Sequence, residues 1–113
     1  MADGAAPTVS THVLDATAGG PATGVDVVLA GWEDGGSWRV AERGVTDADG
    51  RHRFTGPLRP GPWRLTFGTG SYFEARRIES FYPEVTITFR VSAGHYHVPL
   101  LLSPFAYSTY RGS

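Results

Sequence analysis

His95-Tyr96-His97-Val98-Pro99-Leu100-Leu101-Leu102 reads HYHVPLLL, and its side chains alternate in kind along the run. A strand turns successive side chains to opposite faces, so Tyr96, Val98, Leu100 and Leu102 share one face. That face is a core face. His95, His97, Pro99 and Leu101 take the other, which sends two imidazoles away from the core. One step outward, residues 83–91 (PEVTITFRV) repeat the pattern, with Val85, Ile87, Phe89 and Val91 inward and Glu84, Thr86, Thr88 and Arg90 outward. On the other side, residues 105–110 read as a last strand.

Toward the N-terminus the same period recurs between Gly- and Pro-rich turns. Residues 8–15 (TVSTHVLD) set Val9, Thr11 and Val13 against Ser10, His12 and Leu14. GGPATG, residues 19–24, is turn chemistry. Strands are expected at 25–32, 38–46, 51–54 and 62–68. Asp47-Ala48-Asp49-Gly50 forms a tight turn before the short strand at 51–54, with Gly50 free to take positive φ. Residues 71–77 (SYFEARR) predict a brief helix, with Ser71 as N-cap and Glu74 at the capping-box position. The expected architecture is all-β: an eight-stranded sandwich with one short helix. It forms a single domain over residues 1–113, in which 1–7 are expected to be disordered.

Composition narrows the function. A net charge of −1 disfavours nucleic acid, which requires a basic surface to displace counterions, and disfavours anionic membranes likewise. With no cysteine there is neither a disulfide nor a thiolate metal site. The opening MADGAAPTVS lacks the basic and apolar regions of a secretory signal, and no apolar run nears the ~20 residues of a membrane helix. A cytoplasmic location is the expectation.

The outward histidines are the candidates for chemistry. His12 leaves the core face of its strand as His95 and His97 leave theirs. The tail is unusual too, because Tyr107, Tyr110 and Arg111-Gly112-Ser113 make it aromatic and charged where a chain end is ordinarily frayed. Read from residues alone, three uses stay open: solvated histidines beside a tyrosine-packed edge strand, a zinc site of His12, His95 and His97, or a small-molecule site. Gly68-Thr69-Gly70 lacks the third glycine and following long helix of a phosphate loop. Trp32, Trp38 and Trp63 read as core or interface packing, and His52 as a solvated strand residue facing away from Arg51 and Arg53.

Three stretches resemble the hydroxyisourate hydrolases of the transthyretin-like family: STHVLDATAGGPATGV (10–25), TDADGR (46–51) and HYHVPLLLSPFAYSTYRGS (95–113). The YRGS ending is the most specific of these, since transthyretin, the hormone carrier of the same fold, does not end so. The resemblance implies a transthyretin-like sandwich that hydrolyses 5-hydroxyisourate in urate degradation, without metal or other cofactor. It assigns catalytic roles to His12, Arg51 and His97, and substrate binding to His12, Arg51, Tyr110 and Ser113. Arg53, on the same face as Arg51, is the rival for the arginine role. The resemblance also implies a homotetramer with active sites at the dimer–dimer interface. A non-catalytic carrier is the alternative within the fold.

Overall fold

A computed structural model describes residues 6–113. Two sheets pack face to face. The first holds β1 (Thr8–Asp15), β2 (Gly20–Pro21), β5 (Arg51–Arg53), β8 (His95–Ser103) and β9 (Ala106–Thr109). The second runs in the order β4 (Ser37–Val45), β3 (Asp26–Glu33), β6 (Gly61–Phe67), β7 (Val85–Val91). The alternation in the sequence accounts for the layering. Val9 and Val13 of β1 and Tyr96, Val98, Leu100 and Leu102 of β8 are buried against Val27, Leu29, Leu65 and Phe67 of the second sheet. Val85 and Val91 close the far side of that core, with Ile87 and Phe89 half-buried between them. Trp63 is buried over Gly31, where a Cβ would lie 2.8 Å from the indole, so only glycine fits beneath the ring.

Strand edges fall within two residues of those expected, and the all-β sandwich with one short helix is as expected. Three local readings change. Gly20–Pro21, read as turn, forms a ninth, two-residue strand among the described residues, paired with Leu14 and Asp15. The helix α1 runs over Thr69–Glu74, two residues earlier than expected, with Gly68 at its N-cap and no side-chain cap, so Ser71 lies inside it. Tertiary contacts override the capping pattern. The Gly70 N–H donates to the Pro83 carbonyl at 3.0 Å, Thr69 is buried, and Tyr72 and Phe73 drive into the core. The chain then leaves the helix through Arg77 at φ 58°. His52, read as solvated, is half-buried: its ring meets Phe54 edge-on at 4.5 Å and lies over Gly44, with Nε2 3.6 Å from Glu42 Oε2. Of the tryptophans, Trp63 is core, whereas Trp32 meets Trp38 edge-on near the β3–β4 rim and is 40% exposed.

A buried carboxylate fixes one end of β1. Asp15 is 2% exposed and accepts from Tyr72 Oη–H at 2.8 Å and from the Thr17 and Ala18 N–H groups. Burial and that carboxylate push the Tyr72 phenol up to about 12. The segment read as disordered, 1–7, falls mostly outside the described residues; within them, the Pro7 carbonyl accepts from the Leu58 N–H at 2.8 Å. No helix among the described residues is long and apolar enough to cross a membrane.

Candidate active site

Register decides what stands beside what on the outer face of the first sheet. β1 lies between β8, parallel to it, and β5, antiparallel to it. Thr8 is opposite His95, Ser10 is opposite both His97 and Arg53, and His12 is opposite both Pro99 and Arg51. His97 therefore sits diagonally across from His12, one strand over and two residues along. With strands about 4.8 Å apart, the patch from β8 to β5 is about 10 Å wide, the scale of a bicyclic ring.

The turn before β5 holds that register. Gly50 takes φ 75°, and a Cβ there would lie 2.4 Å from the Val13 carbonyl oxygen, so the turn closes against β1 only with glycine. The Val13 N–H donates to the Gly50 carbonyl at 2.7 Å. Asp47 Oδ1 accepts from the Asp49 and Arg51 N–H groups, at 2.9 and 3.0 Å, and fixes the backbone of Arg51. These bonds, the Arg51 amide foremost, hold the Asp47 carboxyl below the usual carboxylate range, with the charges of Arg51 and His12 adding to the effect.

Ser10, Thr11, Asp47, Arg51, His52, Arg53 and His97 line a hollow of about 300 Å³ on this face. His12, half-buried, is not among the residues lining the hollow; it stands on β1 directly across from Arg51. His97 is half-buried, and its Nδ1 is 2.9 Å from Ser10 Oγ. Burial, and then the nearby charges of Arg51, His12 and His95, lower the affinity of His97 for a proton. Burial and Arg53 do the same to His95. Both rings therefore favour the neutral form near pH 7. Because the unfolded chain binds protons at these histidines more readily, they contribute stability above pH ~6.5 that is lost as the pH falls below it.

The tail is docked, as its composition suggested. The Gly112 N–H donates to the His97 carbonyl at 2.8 Å, and Arg111 stacks 4.5 Å over the Tyr96 ring. A Cβ on Gly112 would lie 2.6 Å from His97 Cδ2, so the glycine lets the chain end pass directly against the imidazole. Ser113 follows immediately. Gly112→Ala must push the ring or the tail aside, and misplacement of a reacting group by about 1 Å costs up to about a hundredfold. We expect kcat to fall tenfold or more on that basis, with little change in the thermal midpoint; an unchanged kcat would separate the tail from the His97 ring.

Of the other residues named from sequence, Arg53 joins the hollow and Tyr110 does not. Tyr110, 58% exposed, is not part of the hollow of its own chain. It lines a second, apolar cleft of about 180 Å³ with Ile87, Phe89, Tyr96, Val98 and Arg111 at the open edge of the sandwich. Arg53 does share the hollow with Arg51. Ser10 and Thr8, passed over in the sequence, hold the histidines: Thr8 Oγ1 is 2.7 Å from His95 Nδ1, and Ser10 Oγ is 2.8 Å from His95 Nε2. Their signal was their place two residues apart on the face of His12. The three-histidine zinc arrangement finds no geometric support, since no group of three or more His, Cys, Asp or Glu among the described residues is placed to hold a metal ion.

The hollow thus brings the His97 imidazole together with Arg51 and Arg53 on the outer face of a β-sandwich, with His12 on β1 across from Arg51. Known proteins share this chain's sequence and fold. Residues 9–112 match the model of the HIUase/Transthyretin family. The 5-hydroxyisourate hydrolase of Salmonella typhimurium is 47% identical over 110 residues, which cover 93% of this chain and 80% of that one. The structure of Klebsiella pneumoniae 5-hydroxyisourate hydrolase superposes with a TM-score of 0.84 at 39% identity, covering 95% of this chain and 94% of that one. Sea bream transthyretin in complex with thyroxine superposes with a TM-score of 0.86 at 28% identity, covering 92% and 93%. On the sequence match and the shared fold together, the chain belongs to the HIUase/Transthyretin family.

Proposed function

We propose that this chain hydrolyses 5-hydroxyisourate to 2-oxo-4-hydroxy-4-carboxy-5-ureidoimidazoline, opening its six-membered ring at an amide bond. The observation that supports the reading is the polar hollow lined by His97, Arg51 and Arg53, with His12 paired across from Arg51 on the neighbouring strand. A carrier of apolar ligands would line such a surface with apolar or small hydroxyl side chains; here it is lined by imidazole, guanidinium and carboxylate.

Ring opening needs an activated water, stabilisation of the developing oxyanion, and a proton for the leaving nitrogen. One of His12 and His97 takes the proton from water, and the other delivers a proton or holds the carbonyl oxygen. His97 suits the base role, because its neutral form is favoured by its surroundings. Arg51 offers a planar fork of donors to the carbonyls of the ring and to the oxyanion. Water attacks the carbonyl carbon directly, the C–N bond breaks with its electron pair on nitrogen, and that nitrogen is protonated. Neither a metal nor another cofactor enters this scheme. If neutral His97 is the base, kcat/KM declines on the acid side with a midpoint below the ordinary histidine value of ~6.5; a midpoint at or above that value would exclude His97 as the base.

The hollow is open to one side, and a water-excluding site needs an opposite wall. We assign that wall to further copies of the chain, in a homotetramer with its sites at the dimer–dimer interface, where Tyr110 and Ser113 contribute to substrate binding. Exposed Leu101 on the outer face of β8, exposed Phe105 in the turn before β9 and exposed Tyr107 on the edge strand β9 favour such burial. Dilution below the dissociation constant of the tetramer, followed by light scattering and rate, should show activity vanishing with the tetramer; a fully active monomer would contradict this. We place the activity in the cytoplasm.

The test of function is direct. Hydroxyisourate is generated in situ from urate by urate oxidase, and its ultraviolet decay is followed with and without the protein. Acceleration by the protein, lost in His12→Ala and His97→Ala, is the expected result. Decay at the spontaneous rate would reject the proposal.

A further inference from the structure

The parallel register of β1 and β8 interleaves hydroxyls with imidazoles. Thr8 Oγ1 lies 2.7 Å from His95 Nδ1, His95 Nε2 lies 2.8 Å from Ser10 Oγ, and Ser10 Oγ lies 2.9 Å from His97 Nδ1. All four side chains are on the outer face, with His97 half-buried at the hollow and His95 exposed at the start of β8. His97 Nε2 is the one ring nitrogen of the pair outside this chain of bonds.

We infer that Thr8, His95 and Ser10 form a proton relay that sets the tautomer of His97 and connects it to solvent. The inference rests on the assignment of His97 to the reacting site. A hydroxyl carries a single proton, so Ser10 donates to one histidine while accepting from the other. The chain consequently has two concerted arrangements. In one, His97 Nδ1–H donates to Ser10, Ser10 donates to His95 Nε2, and His95 Nδ1–H donates to Thr8; His97 Nε2 is then bare and basic. In the other, every bond is reversed, and His97 Nε2 carries the proton.

Hydrolysis uses both arrangements in turn. As water attacks the carbonyl carbon, one of its protons passes to His97 Nε2. The Nδ1 proton moves to Ser10, the Ser10 proton to His95 Nε2, the His95 Nδ1 proton to Thr8, and a proton leaves Thr8 for bulk water. When the C–N bond breaks, the nitrogen keeps the electron pair and takes the proton from His97 Nε2. A proton from bulk water then resets the relay through Thr8. One proton enters and one leaves in each half, so His97 never holds a lasting positive charge. The need for this is visible in its surroundings. Arg51 and Arg53 face it from β5 and His12 from β1, with Asp47 the one carboxylate side chain among the residues lining the hollow and the chain terminus at Ser113 beyond Gly112. Ser10, His95 and Thr8 are thus positioning residues, acting through His97.

The experiment compares wild type, Ser10→Ala, Ser10→Thr, His95→Phe and His97→Ala as full-length protein. Each is assayed for kcat and KM across pH and in mixtures of light and heavy water. The His97 tautomer of each free protein is read from nitrogen-15 shifts of its ring. We expect Ser10→Ala to lower kcat roughly tenfold or more with KM little changed, because a mis-set tautomer disables a catalytic histidine whose geometry is intact. Ser10→Thr, which keeps the hydroxyl, should restore most of the rate. The wild-type proton inventory should be bowed by several moving protons, and that of His95→Phe linear. Nitrogen shifts of His97 should change in Ser10→Ala without substrate. If Ser10→Ala and His95→Phe keep wild-type kcat and inventories while His97→Ala is inactive, the relay is refuted and the site stands. If His97→Ala itself is fully active, the site assignment fails and the relay with it.

Discussion

His97→Ala should lower kcat/KM for hydroxyisourate opening by roughly 10²–10⁴-fold, the usual contribution of a positioned acid–base group. The size follows from what this side chain combines. It is a half-buried imidazole on the outer face, lining the hollow, its Nδ1 is moored by Ser10, and its surroundings keep it neutral and able to accept a proton. The fold should tolerate the change. The core contacts of β8 belong to Tyr96, Val98, Leu100 and Leu102 on the other face, and the tail is tied to the His97 backbone rather than its ring. A thermal midpoint close to wild type, with the rate collapsed, is the expected pair of readings. A loss under tenfold would remove His97 from proton transfer.

Arg51→Lys should cost roughly 10²–10³-fold, the loss seen when one oxyanion donor is removed, or about 3–4 kcal/mol of barrier. Lysine keeps the charge, so the loss measures the planar fork. Arg53→Lys is the internal comparison, since both guanidiniums border the hollow. Arg51 stands directly across from His12, and its backbone is fixed by Asp47 and by the Gly50 turn. Arg53 stands across from Ser10 and acts on His95. We therefore expect Arg53→Lys to stay within a few-fold of wild type. Equal losses for the two would mean that the substrate spans both arginines.

The layering was legible because alternation is a local property. Tyr96, Val98, Leu100 and Leu102 declare the core face of β8 without knowledge of any partner, and by the same rule His12, His95 and His97 declare themselves outward. Alternation gives the face but not the neighbour. That Ser10 meets His97 depends on the register of β1 against β8, and that His12 meets Arg51 on its register against β5, which the Gly50 turn holds through its approach to the Val13 carbonyl. The hydroxyls of Thr8 and Ser10 therefore passed as ordinary outward residues. Where tertiary contact outweighs local preference, the reading shifted: Ser71 promised a cap, but burial of Tyr72 and Phe73 and the Gly70–Pro83 bond start the helix at Thr69. His52, on the face away from Arg51 and Arg53, read as solvated, yet it covers Gly44, a residue whose missing side chain makes the room. Tyr110 sits in its own cleft, and a role at the hollow requires a second copy of the chain.

The claim beneath all of this is that His12 and His97, brought together only by the pairing of β1 with β8, work as one machine. The measurement that bears on it most directly is a double-mutant cycle in kcat/KM with His12→Ala, His97→Ala and both together. Groups that act as a unit lose most of their effect at the first removal. The double variant should therefore be about as slow as the slower single variant. Losses that simply multiply, or a double variant as fast as wild type, would show that the two imidazoles do not share one reaction.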